Sequence, residues 1–258
     1  FKKFFKNKIK RKIMKQKDNS KILSNKNCLV TGATGGLGIE ICRILLEKEC
    51  NIFLTSTNKL KLKNIEIELS KNFKDSKIFS HETDLRKTDQ ITKLIETVKK
   101  EMETVEIIIN CAGIFSSKSI DNTTLNEFED IFNVNVKAPF LLAKNFIVEM
   151  KKRRWGRIVN IGSSSSYSGF KNSTAYCTSK HGVLGLSRSL FEEVKSDNIR
   201  VFSFSPGSIK TNMGKQVKNQ NFDTFLDPKE IASFIIFTIS FDSQLITSEN
   251  QIRRLNPE

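Results

Sequence analysis

The chain has 258 residues, of which 38% are hydrophobic, and a formal charge of +15. That length suits one large α/β domain or two small ones, and no run of about 18 uncharged apolar residues exists to cross a membrane as a helix. Five cysteines without a CxxC pair, and only two histidines, leave little material for disulfides, a metal site or Ser-His-Asp chemistry, so no metal is expected and a reducing, cytoplasmic setting is implied.

The charge is uneven. Residues 1–26 hold ten lysines and one arginine against Asp18 alone, about two thirds of the whole excess. Residues 1–25 therefore read as a basic N-terminal extension. In a helix, Phe1, Phe4, Phe5, Ile9 and Ile13 would share a broad arc, a pattern suited to peripheral contact with an anionic membrane. The plainer reading is a solvated, disordered basic segment. With it set aside, specific nucleic-acid binding is not expected.

From Lys26 onward short apolar runs alternate with amphipathic ones, and residues 26–258 read as one domain. A strand at Asn27–Thr31 leads into Thr31-Gly32-Ala33-Thr34-Gly35-Gly36-Leu37-Gly38 and a helix from Ile39 to Lys48. Strand, glycine-rich turn and helix together suit a dinucleotide pyrophosphate, because the turn admits close approach and the helix N-terminus offers free N–H groups. Strands follow at Asn51–Thr55, Lys77–Ser80, Glu106–Ile109, Arg157–Ile161 and Ile199–Phe204, with a weak, charged one at Glu249–Leu255. Helices are predicted over Lys59–Phe73, Thr88–Met102, Phe128–Met150, Tyr176–Val194 and Pro228–Ile239. The alternation implies parallel strands joined by helical crossovers, with ligands at the carboxyl ends of the strands.

The residues that carry chemistry fall at those ends. Besides the glycine turn they are Asp84 and Leu85, Asn110-Cys111-Ala112-Gly113, Asn135, Ser163, Tyr176 with Lys180 one helical turn on, and Pro206-Gly207-x-Ile209-x-Thr211. In that order and spacing the chain, from about Lys26 to Ser240, resembles the short-chain dehydrogenase/reductase family in its single-domain branch, similar to 3-oxoacyl-acyl-carrier reductases. The resemblance implies a Rossmann-type doubly wound sheet of about seven strands, in the order 3-2-1-4-5-6-7. It implies an NAD(P)(H)-dependent oxidoreductase that interconverts a secondary alcohol and a carbonyl, working as a reductase on a small-molecule 3-oxoacyl or polar keto substrate, as a homodimer or homotetramer. Tyr176 would be the acid/base, Lys180 would lower its pKa, Ser163 would donate to the substrate oxygen, and Asn135 would hold a water for proton resupply. Gly32, Thr34, Gly35, Gly36, Leu37, Gly38, Asn110, Ala112, Gly113, Tyr176, Lys180, Pro206, Gly207, Ile209 and Thr211 would line the cofactor, with Asp84 and Leu85 at its adenine.

Two points need the residues themselves. Both tyrosines of the chain have lysine at i+4, Tyr167/Lys171 as well as Tyr176/Lys180. Ser163 lies 13 residues before Tyr176, the family's spacing, whereas the same step back from Tyr167 reaches Arg154. Ser164 is the nearest competitor to Ser163. After the second strand, Leu54-Thr55-Ser56-Thr57-Asn58-Lys59 has no acid for a ribose 2′-hydroxyl. Ser56, Thr57 and Asn58, with Lys59 nearby, suit a 2′-phosphate, so NADP(H) is expected over NAD(H). The alternative to an enzyme is a dinucleotide-binding regulator or scaffold docked on membrane or nucleic acid by its basic extension.

Overall fold

The computed structural model describes residues 21–217 and 220–256. The apolar runs become seven strands, β1 (Asn27–Thr31), β2 (Asn51–Ser56), β3 (Ile78–Glu82), β4 (Ile107–Asn110), β5 (Gly156–Ile161), β6 (Ile199–Pro206) and β7 (Glu249–Ile252). The helices between them are α1 (Gly36–Glu47), α2 (Lys59–Asn72), α3 (Thr88–Met102), α4 (Leu125–Phe132), α5 (Ala138–Arg153), α6 (Thr174–Val194) and α7 (Pro228–Ile239). All seven strands pair in parallel in the order β3-β2-β1-β4-β5-β6-β7, a Rossmann-type single-domain sheet. The chain leaves β1 toward one edge and returns at β4 toward the other. A crevice for ligands therefore opens between the carboxyl ends of β1 and β4.

Strand periodicity builds two cores. Cys28 and Val30 of β1, with Ile107 and Ile109 of β4, face α1, α2 and α7. Their neighbours Leu29 and Ile108 face α3 and α5. Side chains of successive residues alternate across a strand, so a short, wholly apolar run can feed both faces. The packed chain begins before Lys26: Leu23 is 1% exposed, and the Cys50 thiol donates to its carbonyl at 3.2 Å. Residues 1–20, with the Phe1–Ile13 arc, lie outside the described residues.

The long helix predicted over Phe128–Met150 is divided. α4 ends at Phe132, one π turn spans Asn133–Lys137, and α5 runs on to Arg153. Pro139 has no N–H to give the carbonyl of Asn135, and the Ala138 N–H bonds back to Asn133. The start at Leu125 has a local cause. Thr124 and Glu127 form a capping box, each side chain bonding the other's main-chain N–H, at 3.2 and 3.1 Å. Likewise α1 begins at Gly36, not Ile39, so Gly36, Leu37 and Gly38 are its first turn.

At the amino ends of the strands sits Arg157, with no exposed surface. It donates to the carbonyls of Ile239 and Phe241, each at 3.2 Å, and to Asp242 at 2.7 Å, and it stacks 4.2 Å from the centre of the Trp155 ring. The guanidinium thus ties β5 to the end of α7. Burial lowers its pKa to about 10, while Asp242 raises it. Arg157→Met leaves Asp242 and the carbonyls of Gly156, Asn198, Ile239 and Phe241 without this partner and is expected to cost about 3 kcal/mol. A denaturant midpoint unchanged from the parent protein would show that the tie carries no stability.

Candidate active site

The glycine turn is shaped by contacts that exclude a side chain. Gly32 has φ +66°, and a Cβ there would lie 2.8 Å from the Ala112 main chain. A Cβ on Gly38 would lie 2.2 Å from the Gly32 carbonyl oxygen. Close packing of α1 on the turn is therefore possible only with glycine. Gly35, the N-cap of α1, makes no side-chain cap, and the first turn holds no acid. The leading N–H groups and the positive end of the helix dipole are thus unopposed, which fits a pyrophosphate.

Other segments converge on the turn. The Thr31 hydroxyl accepts from the Ala112 N–H at 3.1 Å, joining the end of β1 to the loop after β4. Thr211 has its methyl against Gly36, 2.7 Å from where a Cβ would stand. The Thr211 hydroxyl accepts from the Gly214 N–H at 3.1 Å. Pro206 closes β6, the Gly207 N–H donates to Ile252 at 2.8 Å, and Ile209 and Leu37 pack into the core on the α1 side. Below the loop, Asn110 donates to Asn160 at 2.8 Å, and Asn160 to Ser187 at 2.9 Å. This buried polar chain crosses from β4 through β5 to α6.

At the end of β2, the Thr34 and Ser56 hydroxyls bond at 2.7 Å. Thr57 is exposed, and Asn58 caps α2 through the Lys61 N–H at 2.9 Å. The first turn of α2 carries no acid. Asp84 lies just after the end of β3. Its carboxylate is held by Arg86, at 2.8 to 3.1 Å, and that partner keeps its pKa below the usual carboxylate range. Leu85 is 6% exposed within the core on the α3 side.

The reacting groups lie around α6. Tyr176 and Lys180 are both buried, one turn apart, with the Lys180 Nζ 5.7 Å from the tyrosine ring centre. Lys180 donates to the Ile161 carbonyl at 2.7 Å. Gly113 stands beside it, 3.8 Å from Nζ as measured to a built Cβ. Burial pushes the Tyr176 phenol up to about 12, against a lowering hydrogen bond from Ser163. Burial also brings Lys180 down to about 8. Both shifts favour the neutral forms.

Asn135 has its side chain fully engaged. It accepts from the Ile114 N–H at 2.8 Å, donates to the Ile114 carbonyl at 3.0 Å and donates to Ser179 at 3.0 Å. Among the residues that sequence reasoning missed is Phe115, edge-on to Tyr176 with ring centres 5.0 Å apart. Ser179, which donates to the Tyr176 carbonyl at 2.7 Å, is another. Neither belongs to a motif; their only signal was closeness in sequence to residues that do. Tyr167 lies apart from this cluster, with its hydroxyl 3.0 Å from Glu249.

The chain resembles known proteins over most of its length. A sequence model of the short chain dehydrogenase family matches residues 26–221. A 3-oxoacyl-[acyl-carrier-protein] reductase of Buchnera aphidicola subsp. Schizaphis graminum is 34% identical over 88% of this chain and 95% of the relative. The 3alpha-hydroxysteroid dehydrogenase of Mediterraneibacter gnavus is 30% identical over 88% and 95%. The crystal structure of a metagenomic short-chain oxidoreductase in complex with NADP superposes with TM-score 0.79 at 28% identity, over 91% of this chain and 100% of that one. Levodione reductase, at TM-score 0.81 and 22% identity, shares the fold.

Since a Cβ on Gly38 has nowhere to go, Gly38→Ala is expected to weaken NADPH binding at least about tenfold. Calorimetric titration checks this, and unaltered affinity would remove the turn from the cofactor site.

Proposed function

The chain belongs to the short-chain dehydrogenase family of oxidoreductases, and on that premise we propose that it is an NADP(H)-dependent carbonyl reductase with Tyr176 as its proton donor. The observation that carries this reading is a buried phenol in contact with Ser163, with Lys180 one helical turn away. The bound nicotinamide supplies the hydride; the protein supplies position and the proton. A phenol pushed to about 12 stays protonated at neutral pH and is ready to give its proton to a carbonyl oxygen. Ser163 donates to the same oxygen as negative charge develops there. The Lys180 ammonium favours the phenolate left behind, and a water at the Asn135 carbonyl completes the path for reprotonation.

NADP(H) is favoured by the absence of any acid among residues 54–59 and in the first turn of α2, with Lys59 and Lys61 at that turn. The NADP-bound relative points the same way. Glycines and N–H groups at α1, hydroxyls of Thr34 and Ser56, and the Pro206–Thr211 segment form the cofactor site in this reading. The names of the relatives suggest the substrate class: a 3-oxoacyl thioester, or a keto group on a polar or ring-bearing metabolite. A cytoplasmic location, as expected from the cysteine pattern of the sequence, is part of this proposal. No helix among the described residues is long and apolar enough to cross a membrane.

Assembly as a homodimer through α4, α5 and α6 is part of the proposal. Leu125 and Phe140 are exposed there, beside a cavity of about 350 Å³ lined by Phe132, Val136, Phe140 and Leu186. Phe140→Glu is expected to convert a dimer to monomers in sedimentation; a parent protein already monomeric would overturn this part.

Two kinetic outcomes test the reaction. Tyr176→Phe is expected to lower kcat for NADPH-dependent carbonyl reduction by at least about 100-fold, and full activity in that variant would end the assignment. Lys180 loses its proton as pH rises through about 8, so kcat/KM for reduction is expected to fall above that pH while the phenol remains protonated. NADPH binding with no turnover across a carbonyl panel would favour a dinucleotide-binding regulator.

A further inference from the structure

We infer that Tyr167, Glu249 and Arg188 form a bracket that positions Ser163 against the catalytic helix, a role that rests on the reductase reading above. Two features take no part in the chemistry described so far: the second Tyr-x-x-x-Lys pair, and a last strand of polar residues, Glu249-Asn250-Gln251-Ile252. They meet in space. The Tyr167 hydroxyl donates to Glu249 Oε2 at 3.0 Å, across 82 residues of chain. Glu249 accepts a two-pronged bond from Arg188, Nε at 2.7 Å and Nη2 at 2.9 Å. Arg188 stands on α6, eight residues after Lys180.

Tyr167 caps the one-turn helix Ser164–Ser166, whose N-cap is Ser163. Within that turn the Ser163 N–H donates to Ser166 at 3.2 Å, and the Ser163 hydroxyl accepts from the Ser165 N–H at 3.1 Å. The other end of the turn is pressed on the sheet. A Cβ on Gly162 would lie 2.4 Å from the Ser205 hydroxyl and 3.0 Å from that of Ser166. Ser205 lies on β6, and the Gly162 N–H donates to the neighbouring Phe204 carbonyl at 2.7 Å. The turn is therefore held at Gly162 by β6 and at Tyr167 by β7 and α6. Ser163 shifts only if the turn shifts, and in the reading above its hydroxyl shares the substrate oxygen with the Tyr176 phenol. Tyr167 and Glu249 are positioning residues, acting through Ser163, since neither touches the reacting atoms.

The test uses Tyr167→Phe, Glu249→Ala, Glu249→Gln and the double variant Tyr167→Phe/Glu249→Ala in the full chain. Each of the first two is expected to lower kcat about tenfold, with KM for NADPH unchanged, because a misplaced donor slows the reaction without weakening cofactor binding. The double variant is expected to be no slower than either single one. Glu249→Gln, which keeps an acceptor for the phenol, is expected to retain most of the rate. A lowered melting temperature with unaltered kcat would make the bracket an anchor for the edge strand and overturn the proposal, as would losses that multiply in the double variant. A readout free of turnover comes from the two tyrosines, which give two Cζ resonances in ¹³C-tyrosine-labelled protein. Glu249→Ala is expected to move the Tyr176 resonance as well as that of Tyr167; movement of Tyr167 alone overturns the proposal. If the parent protein reduces no carbonyl, the reductase reading fails, and these spectra still decide whether the bracket reaches Tyr176.

Discussion

One buried amide joins the elements that carry the reacting groups. Asn135, 2% exposed, bonds both the N–H and the carbonyl of Ile114 and also donates to Ser179. Ile114 continues the loop from β4, Ser179 lies between Tyr176 and Lys180, and Asn135 itself sits in the π turn. A buried polar group must be satisfied, and here it is satisfied by two different parts of the site. The loop after β4, the π turn and α6 therefore cannot shift independently. The π turn is the means: without the extra residue between α4 and α5, the amide would rotate away from that loop.

Burial then sets the electrostatics. The Tyr176 phenol rises to about 12 and Lys180 falls to about 8, in each case because the charged form would leave water. The site thus holds a neutral acid beside a cation that is easily discharged, a combination suited to delivering one proton and being resupplied. Hydrogen bonding to the two is supplied by Ser163 and the Ile161 carbonyl, and no carboxylate among the described residues is bonded to either. The electrostatic work falls to dipoles and hydroxyls in fixed positions, which need no reorganisation as charge develops.

The two ends of the sheet are specialised. At the amino ends, Arg157 spends its donors on carbonyls at the end of α7 and on Asp242, and this buried tie serves stability. At the carboxyl ends the strands terminate in Thr31, Ser56, Asn110, Ile161 and Pro206, and the loops that follow bring hydroxyls and N–H groups toward one crevice. Parallel strands make this division possible, because every strand ends at the same edge.

Much of this was legible in the residues alone. The strands, the single parallel sheet, the glycine turn and the Tyr176–Lys180 pair depend on periodicities and spacings within a few residues, and local sequence determines such features. The capping box at Thr124 and Glu127 was equally legible, yet the apolar pattern starting at Phe128 masked it. The break at the π turn had a signal in Pro139, but a proline near a helix start is as compatible with continuation as with a break. Other assignments depended on which elements become neighbours. Arg86 takes the carboxylate of Asp84, Lys180 bonds the Ile161 carbonyl, and Tyr167 pairs with Glu249 instead of its own Lys171. The sequence by itself determined what each element is and which motifs stand at strand ends. Only the tertiary structure decided how those polar groups are shared, because hydrogen-bond partners are assigned by proximity in the folded sheet, where residues 82 positions apart lie 3.0 Å from one another.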